Sequence, residues 1–470
     1  MFVYALAGPA PWAFHLVNVL FHSAASVMAY LLARRIFERA GINSGTPALF
    51  TGLIFAAHPI HTEAVNWAAS FPELSFTLFY FLSVYCYLGG NSTSGKGRKL
   101  ELSASVLSFV LAALSKETGL TLPGAIMAAD LAFSKKPFRT RLRGYIPFAA
   151  VSAVYLAVRL YLVRVTSVDL GLTNAQVFLN ALVNLSMYFE KLVLPLGLNA
   201  YYVFHPVYAF TQPKSLIAFV IIVAVIGALL ISFHKRKVSF LGLAFIVLPI
   251  IPALYLPVFP YGSTFAERYL YLPCFGFALI LTDLAFIQKR YLKPATVILS
   301  ILVALYCVGV ITRNPVWKDQ FTLAKRTVGQ SPDSAVMRVE LGVALQNKGM
   351  LDEAIQQYLT AINLDPRRLE PFYNIGTCYE AKGQTGEAIG WFKKTLEKNP
   401  DYMNAHEQLG SIYMRKWLLD QAINEFSIVL KANPEQASAH NNLGLALLRK
   451  GRYDEASQEF RTASMLEGKK

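Results

Sequence analysis

Residues 400–434 read PDYMNAHEQLGSIYMRKWLLDQAINEFSIVLKANP, a segment that opens and closes on proline. Pro332 and Pro366 carry the series backward at the same spacing of 34 residues. That period belongs to tetratricopeptide repeats (TPRs), each a pair of antiparallel helices, and the other slots agree with it. Leu341-Gly342, Ile375-Gly376, Leu409-Gly410 and Leu443-Gly444 occupy one position of the first helix. Ala354, Ala388, Ala422 and Ala456 let the second helix approach closely, and Tyr358, Phe392, Phe426 and Phe460 fill the space beside them. Gly349, Gly383 and Gly451 mark the turn between helices, with Trp417 in glycine's place in the third unit. A single unit cannot bury its own apolar face, so stacked neighbours are required. Four units are predicted, over 332–366, 367–400, 401–434 and 435–470, preceded by a junction and capping helix over 313–331.

Upstream of Pro332 the composition changes. The repeat region carries 17 Lys/Arg and 18 Asp/Glu, whereas the preceding residues carry 27 and 11, so the whole basic excess sits in the apolar part. The basic residues lie in short loops between apolar runs, which is the positive-inside pattern of a membrane protein and not a nucleic-acid footprint. Apolar runs fall near 12–33, 46–62, 72–89, 102–116, 118–133, 144–163, 215–233, 239–259, 268–287 and 294–312. Basic clusters at Arg34-Arg35/Arg39, Lys96/Arg98/Lys99, Lys135 to Arg143, Lys235-Arg236-Lys237 and Lys289-Arg290/Lys293 alternate with loops poor in Lys/Arg. The expected fold is all-α: a polytopic helical membrane domain of about ten spans over 1–312, followed by a TPR α-solenoid. The alternation puts the repeats outside the cytoplasm, in the periplasm or an equivalent space. The apolar segment 178–197 would make the count odd, so it is read as a re-entrant or interfacial piece on the outer side. The four cysteines are scattered and only Cys378 lies in the soluble part, so no disulfide is available there.

With so few acids before the repeats, each one on the outer side can be examined, because ionisable groups at a membrane are costly. Glu63 closes His58-Pro-Ile-His61-Thr-Glu63, whose imidazoles and carboxylate suit a metal, a substrate or lipid phosphate, or interfacial hydrogen bonding. Lys116-Glu117 interrupts the apolar run from Leu102 to Leu131; the lysine can neutralise a phosphate and the carboxylate can accept a proton. The alternative there is a solvated charge pair in a short loop. Glu267-Arg268 lies in Phe265-Ala-Glu-Arg-Tyr-Leu-Tyr-Leu-Pro273, and its guanidinium is suited to gripping a phosphate or to snorkelling. Tyr155, Arg159, Tyr161 and Arg164 form a helical stripe in which Arg159 is expected to be buried and paired. Glu190 and Lys191 read as a local ion pair.

Together these segments resemble the transmembrane and TPR-containing (TMTC) protein O-mannosyltransferases, of the GT-C class of membrane glycosyltransferases. The matching pieces are His15-Leu-Val-Asn-Val-Leu-Phe-His22, Phe55-Ala-Ala-His-Pro-Ile-His-Thr-Glu63, Leu114-Ser-Lys-Glu-Thr-Gly119, Ala266-Glu-Arg-Tyr-Leu-Tyr-Leu-Pro273 and Arg313-Asn-Pro-Val-Trp317. The terse loops and small repeat array are similar to prokaryotic-type members. The resemblance implies a polyprenyl-phosphate-linked sugar donor, inverting transfer on the outer face and a protein acceptor presented by the repeats. It implies donor-phosphate contacts by Lys116 and Arg268, with His58 and His61 beside them, and makes Glu63, Glu117 and Glu267 candidate carboxylates. No cofactor or resident metal is assigned, and a divalent ion stays open. The class carries its acidic catalytic motif in the first outer loop, and Met1 to Pro11 contains no Asp or Glu. The expectation is therefore a chain truncated at its start, or a degenerate member, with that motif upstream of Met1.

In the repeats, Glu340, Asn374, Gln408 and Asn442 share one slot of the first helix. Amide side chains there can bond both N–H and C=O of an extended peptide, which makes Asn374, Gln408 and Asn442 candidate acceptor contacts. The leading reading is a membrane glycosyltransferase acting on a protein held by the TPRs. The alternative is a non-enzymatic TPR membrane scaffold for envelope or polysaccharide assembly, and a transporter ranks third.

Overall fold

The computed structural model describes residues 10–90, 95–162, 171–255 and 263–468, and the chain divides into two compact units, residues 1–318 and 319–470. Arg164 of the helical stripe lies outside the described residues.

Among its described residues the regular structure of the first unit is helical, with a long connection over 194–212. Its helices are α1 (Pro11–Arg39), α2 (Gly45–Ala57), the short α3 (His61–Asn66), α4 (Phe71–Gly90), α5 (Gly95–Ser115) and α6 (Leu122–Phe133). They continue with α7 (Phe138–Leu162), α8 (Asn174–Val193), α9 (Pro213–Lys235), α10 (Lys237–Ile250), α11 (Pro273–Ala285) and α12 (Leu292–Arg313). Among the described residues, six segments are long and apolar enough to cross a membrane: Pro11–Arg39, Ala68–Gly90, Arg139–Leu162, Pro213–Lys235, Lys237–Leu254 and Leu292–Trp317. The apolar runs of the sequence suggested ten. The difference comes from where the backbone breaks. Helices α2 and α11 are apolar but 13 residues long, about 20 Å, short of a hydrocarbon core of about 30 Å. The first two turns of α5 hold Lys96, Arg98, Lys99 and Glu101, and α6 has 12 residues. Helix α8 is amphipathic and starts with a capping box between Thr173 and Gln176. Its buried Asn180 and Asn184 bond the backbone of Val207 and Thr264, so it is pinned to neighbouring loops through a polar face.

Close contacts hold these helices together where hydrophobic driving force is weak. A Cβ on Gly242 of α10 would meet the Gly276 carbonyl of α11 at 2.8 Å, and one on Gly52 of α2 would meet Tyr30 Cβ of α1 at 2.9 Å. Phe55, Phe81, Phe245, Phe275 and Tyr271 are buried in the core these helices enclose. Helix α9, by contrast, is apolar along most of its length and leaves Val220, Leu230 and Ile231 exposed, the surface expected against lipid.

The second unit opens with α13 (Gln320–Gln330), capped by Asp319, whose carboxylate accepts from the Thr322 amide at 2.7 Å. Four helix pairs follow. They are α14 (Ala335–Asn347) with α15 (Leu351–Leu364), α16 (Glu370–Ala381) with α17 (Thr385–Lys398), α18 (Met403–Arg415) with α19 (Leu419–Ala432), and α20 (Ala437–Arg449) with α21 (Tyr453–Glu467). The sequence slots are structural slots. A Cβ on Gly376, Gly410 or Gly444 would sit 2.6, 2.7 or 2.8 Å from the ring of Phe392, Phe426 or Phe460, so each aromatic occupies the volume a side chain on the first helix would need. Gly349, Gly383 and Gly451 have φ of 78°, 74° and 84°, and Trp417 adopts the same left-handed turn at 59°. The carbonyl of the repeat proline is capped in every unit: Pro332 by Arg338, Pro366 by Lys398, Pro400 by His406 and Pro434 by His440.

Candidate functional site

Pro59 decides the local geometry. It ends α2, and His58 before it is extended, with φ −64° and ψ 125°. The chain then turns into α3, which Asn18 of α1 holds by donating to the carbonyls of Val65 and Trp67, each at 3.1 Å. This places Glu63 in the first turn of α3 and Glu73 in the first turn of α4. The run Leu102 to Leu131 breaks at Lys116, and a single turn over Glu117–Thr121 doubles back on α5. Gly119 is required there, because a Cβ would lie 2.7 Å from the backbone of Ala112.

These breaks bring one group of charges together. Arg268 donates from Nη1 to Glu63 Oε1 at 2.6 Å and from its backbone amide to Oε2 at 3.0 Å. Lys116 Nζ lies 2.8 Å from Glu73 Oε1, and Arg268 Nε reaches the same oxygen at 3.5 Å. Glu73 is therefore shared by the two cations that were read as phosphate ligands. Aromatic faces complete the cradle: the Lys116 ammonium lies 4.3 Å from the Tyr269 ring centre, and the Arg268 guanidinium 4.9 Å from that of Trp67. Both carboxylates are buried, while Lys116 and Arg268 keep 12% and 24% of their side chains accessible, so the cations are the members a ligand can reach.

A second pair lies alongside. Glu267 is fully buried and paired with Arg313 Nη2 at 2.6 Å; its Oε1 accepts from Tyr202 Oη and from the Asn199 amide, both at 2.6 Å. Arg313 Nη1 also donates to the Pro59 carbonyl at 3.3 Å, which joins the end of α12 to the turn carrying the histidines. Burial pushes the Glu267 carboxyl up to about 7, and the nearby Glu63 charge adds to the rise against the pull of Arg313. Burial likewise pushes the Tyr202 hydroxyl upward.

The histidines stand apart from the cations. His58 Nε2 donates to the Leu192 carbonyl at 3.1 Å while Nδ1 accepts from the Ile60 amide at 3.2 Å, which sets its tautomer. His61 sits among Phe55, Tyr271 and His22 at ring separations of 4.7, 4.4 and 5.4 Å. Burial lowers His58 to about 4 and His61 well below the ordinary imidazole range. Two neutral, enclosed rings bring no positive charge to a phosphate, and they act here as packing between α2, α8, α11 and α12. No group of three metal-ligating side chains occurs among the described residues.

Glu117 is half exposed and faces Arg159 at 3.5 Å. Arg159 was expected to be buried, and it is not: 36% of its side chain is accessible, because α7 presents that stripe at the surface. Its partner is Glu117, with Tyr155 beside it at 3.5 Å. Lys191 and Glu190 form a local pair at 3.2 Å. In the repeats, Asn374, Gln408 and Asn442 are all half-buried on their first helices, and Gln408 donates to Tyr373 Oη at 3.4 Å. Glu340, in the same slot, is taken by Gln320 of α13 at 2.9 Å.

Three residues of this network were missed in the sequence. Glu73 was discoverable as one of only 11 acids before the repeats, poised at the start of an apolar run. Arg313 lay in a quoted motif without a role. Tyr202 carried no signal.

An apolar helical body with a compensated ion network at one set of helix ends, followed by four TPR units, defines a polytopic membrane protein with a repeat array. TPR family models match residues 342–383 and 407–464. Over 416 residues the chain is 23% identical to the mouse protein O-mannosyl-transferase TMTC3, covering 79% of this chain and 44% of that one. It is 27% identical over 374 residues to the Caenorhabditis elegans protein O-mannosyl-transferase F38B6.6, covering 75% and 51%, and 26% identical over 441 residues to human TMTC1, covering 79% and 48%. A crystal structure of MamA aligns over 32% of this chain and 87% of that chain with a TM-score of 0.30 and 25% identity. The chain is similar to the TMTC protein O-mannosyl-transferases over most of its own length, and it spans about half the length of the curated relatives it matches.

Proposed function

We propose that the chain is a membrane glycosyltransferase of the TMTC kind, in which Lys116 and Arg268 receive the phosphate of a polyprenyl-phosphate-linked sugar. The observation that carries this reading is the sharing of Glu73 by both cations. A phosphate oxygen accepts from the same ammonium and guanidinium donors that Glu73 uses, so the two partly accessible cations can bridge it as they bridge that carboxylate. In the transfer step the acceptor hydroxyl oxygen attacks the anomeric carbon. The bond from that carbon to the phosphate oxygen breaks, and the lipid phosphate leaves with its electron pair, stabilised by the two cations. Glu117 is the accessible carboxylate of the three candidates and takes the hydroxyl proton. Glu63 and Glu267 are held as acceptors by Arg268 and Arg313, and they position those side chains.

The acceptor is a protein segment bound along Asn374, Gln408 and Asn442. The repeats follow the network closely in the chain, since Arg313 belongs to it and the second unit begins at Asp319. The alternation of basic loops supports an extracytoplasmic position for the network and the repeats. The test is sugar transfer from polyprenyl-phosphate mannose to a peptide acceptor by the full chain in lipid nanodiscs. Arg268→Ala and Lys116→Ala are each expected to lower transfer by about 10²-fold, the scale of losing one charge-stabilising donor. Transfer unchanged in both variants would sink the assignment.

One observation favours a second reading, a TPR scaffold without chemistry. Each of Lys116, Arg268, Arg313 and Arg159 already faces a carboxylate, which also suits a purely structural network. Peptide binding by the repeats together with no transfer by the unaltered chain would favour it.

A further inference from the structure

The far ends of the same helices enclose a second polar feature. A cavity of about 640 Å³ opens where α1, α9 and α11 end and where α2, α10 and α12 begin. It lies at the opposite ends of α2 and α12 from Glu63 and Arg313, about 20 Å away along α2 and about 33 Å along α12. His234, Lys235, Arg236 and Lys237 line one wall. Among the described residues Asp283 is the only acid on the wall, and it is already engaged. Arg236 grips its carboxylate at 2.9 and 3.1 Å and its carbonyl at 2.8 Å, and Ser239 donates to the same carboxylate. Among the described residues no acid pairs with Lys235 or Lys237, so two cations remain uncompensated.

Backbone groups add to this charge. Helices α2, α10 and α12 each start at the cavity with no side-chain cap and no acid in the first turn. Their free amides and positive dipole ends therefore lie at a wall that already carries excess cations. Of the three helices that finish there, α1 and α9 have basic last turns, Arg39 and His234-Lys235, and α11 has none, its Asp283 carbonyl being bonded by Arg236. The rest of the lining mixes the polar Asn43, Thr46 and Thr282 with apolar side chains such as Phe37, Phe286 and Leu292. Outside the lining, Phe233 of α9 and Leu284 of α11 are exposed at 41% and 49%, and the lining residue Ile287 is exposed at 53%.

We infer that this cavity binds the phosphate headgroup of an anionic membrane lipid, with the acyl chains lying along α9 and α11. Uncompensated lysines and uncapped helix starts recognise the phosphate, and the exposed apolar flanks favour a lipid over a free anion. The site is separate from the network around Glu73 and does not depend on the transfer reading.

The test uses the full chain in neutral detergent, with bound lipid counted by native mass spectrometry at matched ionic strength. Phosphatidylglycerol, phosphatidylcholine and sodium phosphate are the three probes. Phosphatidylglycerol is expected to bind the unaltered chain about 10-fold or more tighter than phosphatidylcholine. The Lys235→Ser/Lys237→Ser variant should lose that preference, roughly 10- to 30-fold for two lysines near an anionic surface. Thr46→Trp, which fills the cavity mouth without touching a charge, should lose it too. Lys96→Ser/Lys99→Ser, two exposed lysines of α5 outside the cavity, should keep it. Retention of the preference in both cavity variants overturns the site. An equal loss in the α5 variant means unspecific surface charge and also overturns it. Displacement of the lipid by low-millimolar sodium phosphate assigns the cavity to a soluble anion and overturns the lipid.

Discussion

Glu73→Gln removes the charge that Lys116 and Arg268 share while leaving the shape of the side chain intact. Glu73 and Lys116 keep 7% and 12% of their side chains accessible, so the pair counts as buried. Breaking a buried pair by deleting one partner costs about 3–5 kcal/mol, because the remaining charge has neither water nor a counter-ion. Two features reduce that figure. Arg268 keeps its bond to Glu63 at 2.6 Å, and Lys116 keeps the Tyr269 face at 4.3 Å, a contact of about 1–2 kcal/mol when desolvated. The expected loss is therefore about 2–3 kcal/mol. Removing both charges with Glu73→Gln/Lys116→Met should recover most of it, since no uncompensated ion is left. The assay is thermal unfolding of the purified full chain in one detergent, followed by intrinsic fluorescence, for the two single variants and the double. A Glu73→Gln variant within about 0.5 kcal/mol of the unaltered chain would refute the burial argument. A double variant as unstable as the single one would refute the pairing of Glu73 with Lys116.

Three further outcomes follow from the same geometry. Trp417→Gly relieves a left-handed backbone that costs about 1–2 kcal/mol for a residue with a Cβ, and the lost ring is 68% exposed with Arg449 stacked 5.6 Å away. A net gain of about 0.5–1 kcal/mol is expected in the denaturant midpoint of the repeat array, and a loss would show that the Trp417 ring matters more than its strain. Gly410→Ala drives a methyl to 2.7 Å from the Phe426 ring and should destabilise the array by about 1–3 kcal/mol; an unchanged midpoint would mean that α18 and α19 separate freely. Burial raises the Glu267 carboxyl from 4.5 to about 7, so the folded chain holds that proton more tightly than the unfolded chain. This share of stability is full below about 4.5 and is lost as pH rises through about 7, which Glu267→Gln should remove from the pH dependence of the melting temperature. Identical pH slopes for the two proteins would exclude it.

Much of the architecture is legible one residue at a time. The spacing of Pro332, Pro366, Pro400 and Pro434, with glycine opposite aromatic in every unit, determines the repeat array because each unit contacts only its neighbours. Even the odd unit showed itself, since Trp417 stands where the turn needs positive φ. Apolar runs and loop charges likewise determine a membrane body, since hydrocarbon acts on composition before any packing occurs. The number of spans was less legible, because a run of apolar residues does not reveal that the helices α2, α6 and α11 within such runs stop at 13, 12 and 13 residues.

The site was decided by tertiary structure. Lys116, Arg268, Glu63 and Glu267 were visible as costly charges, but the arrangement rests on contacts between residues far apart in the chain. Glu63 meets Arg268 across 205 residues, and Lys116 meets Glu73 across 43. Periodicity carries no information about such pairs, since any helix end can hold a charge and only the packed bundle selects which ends meet. The same holds for His58 and His61, whose chemistry suggested ligands until the enclosing rings and Leu192 made them neutral packing. Local forces set what each segment of this protein is, and the low-dielectric interior, where an unpaired charge is costly, set which carboxylate each cation keeps.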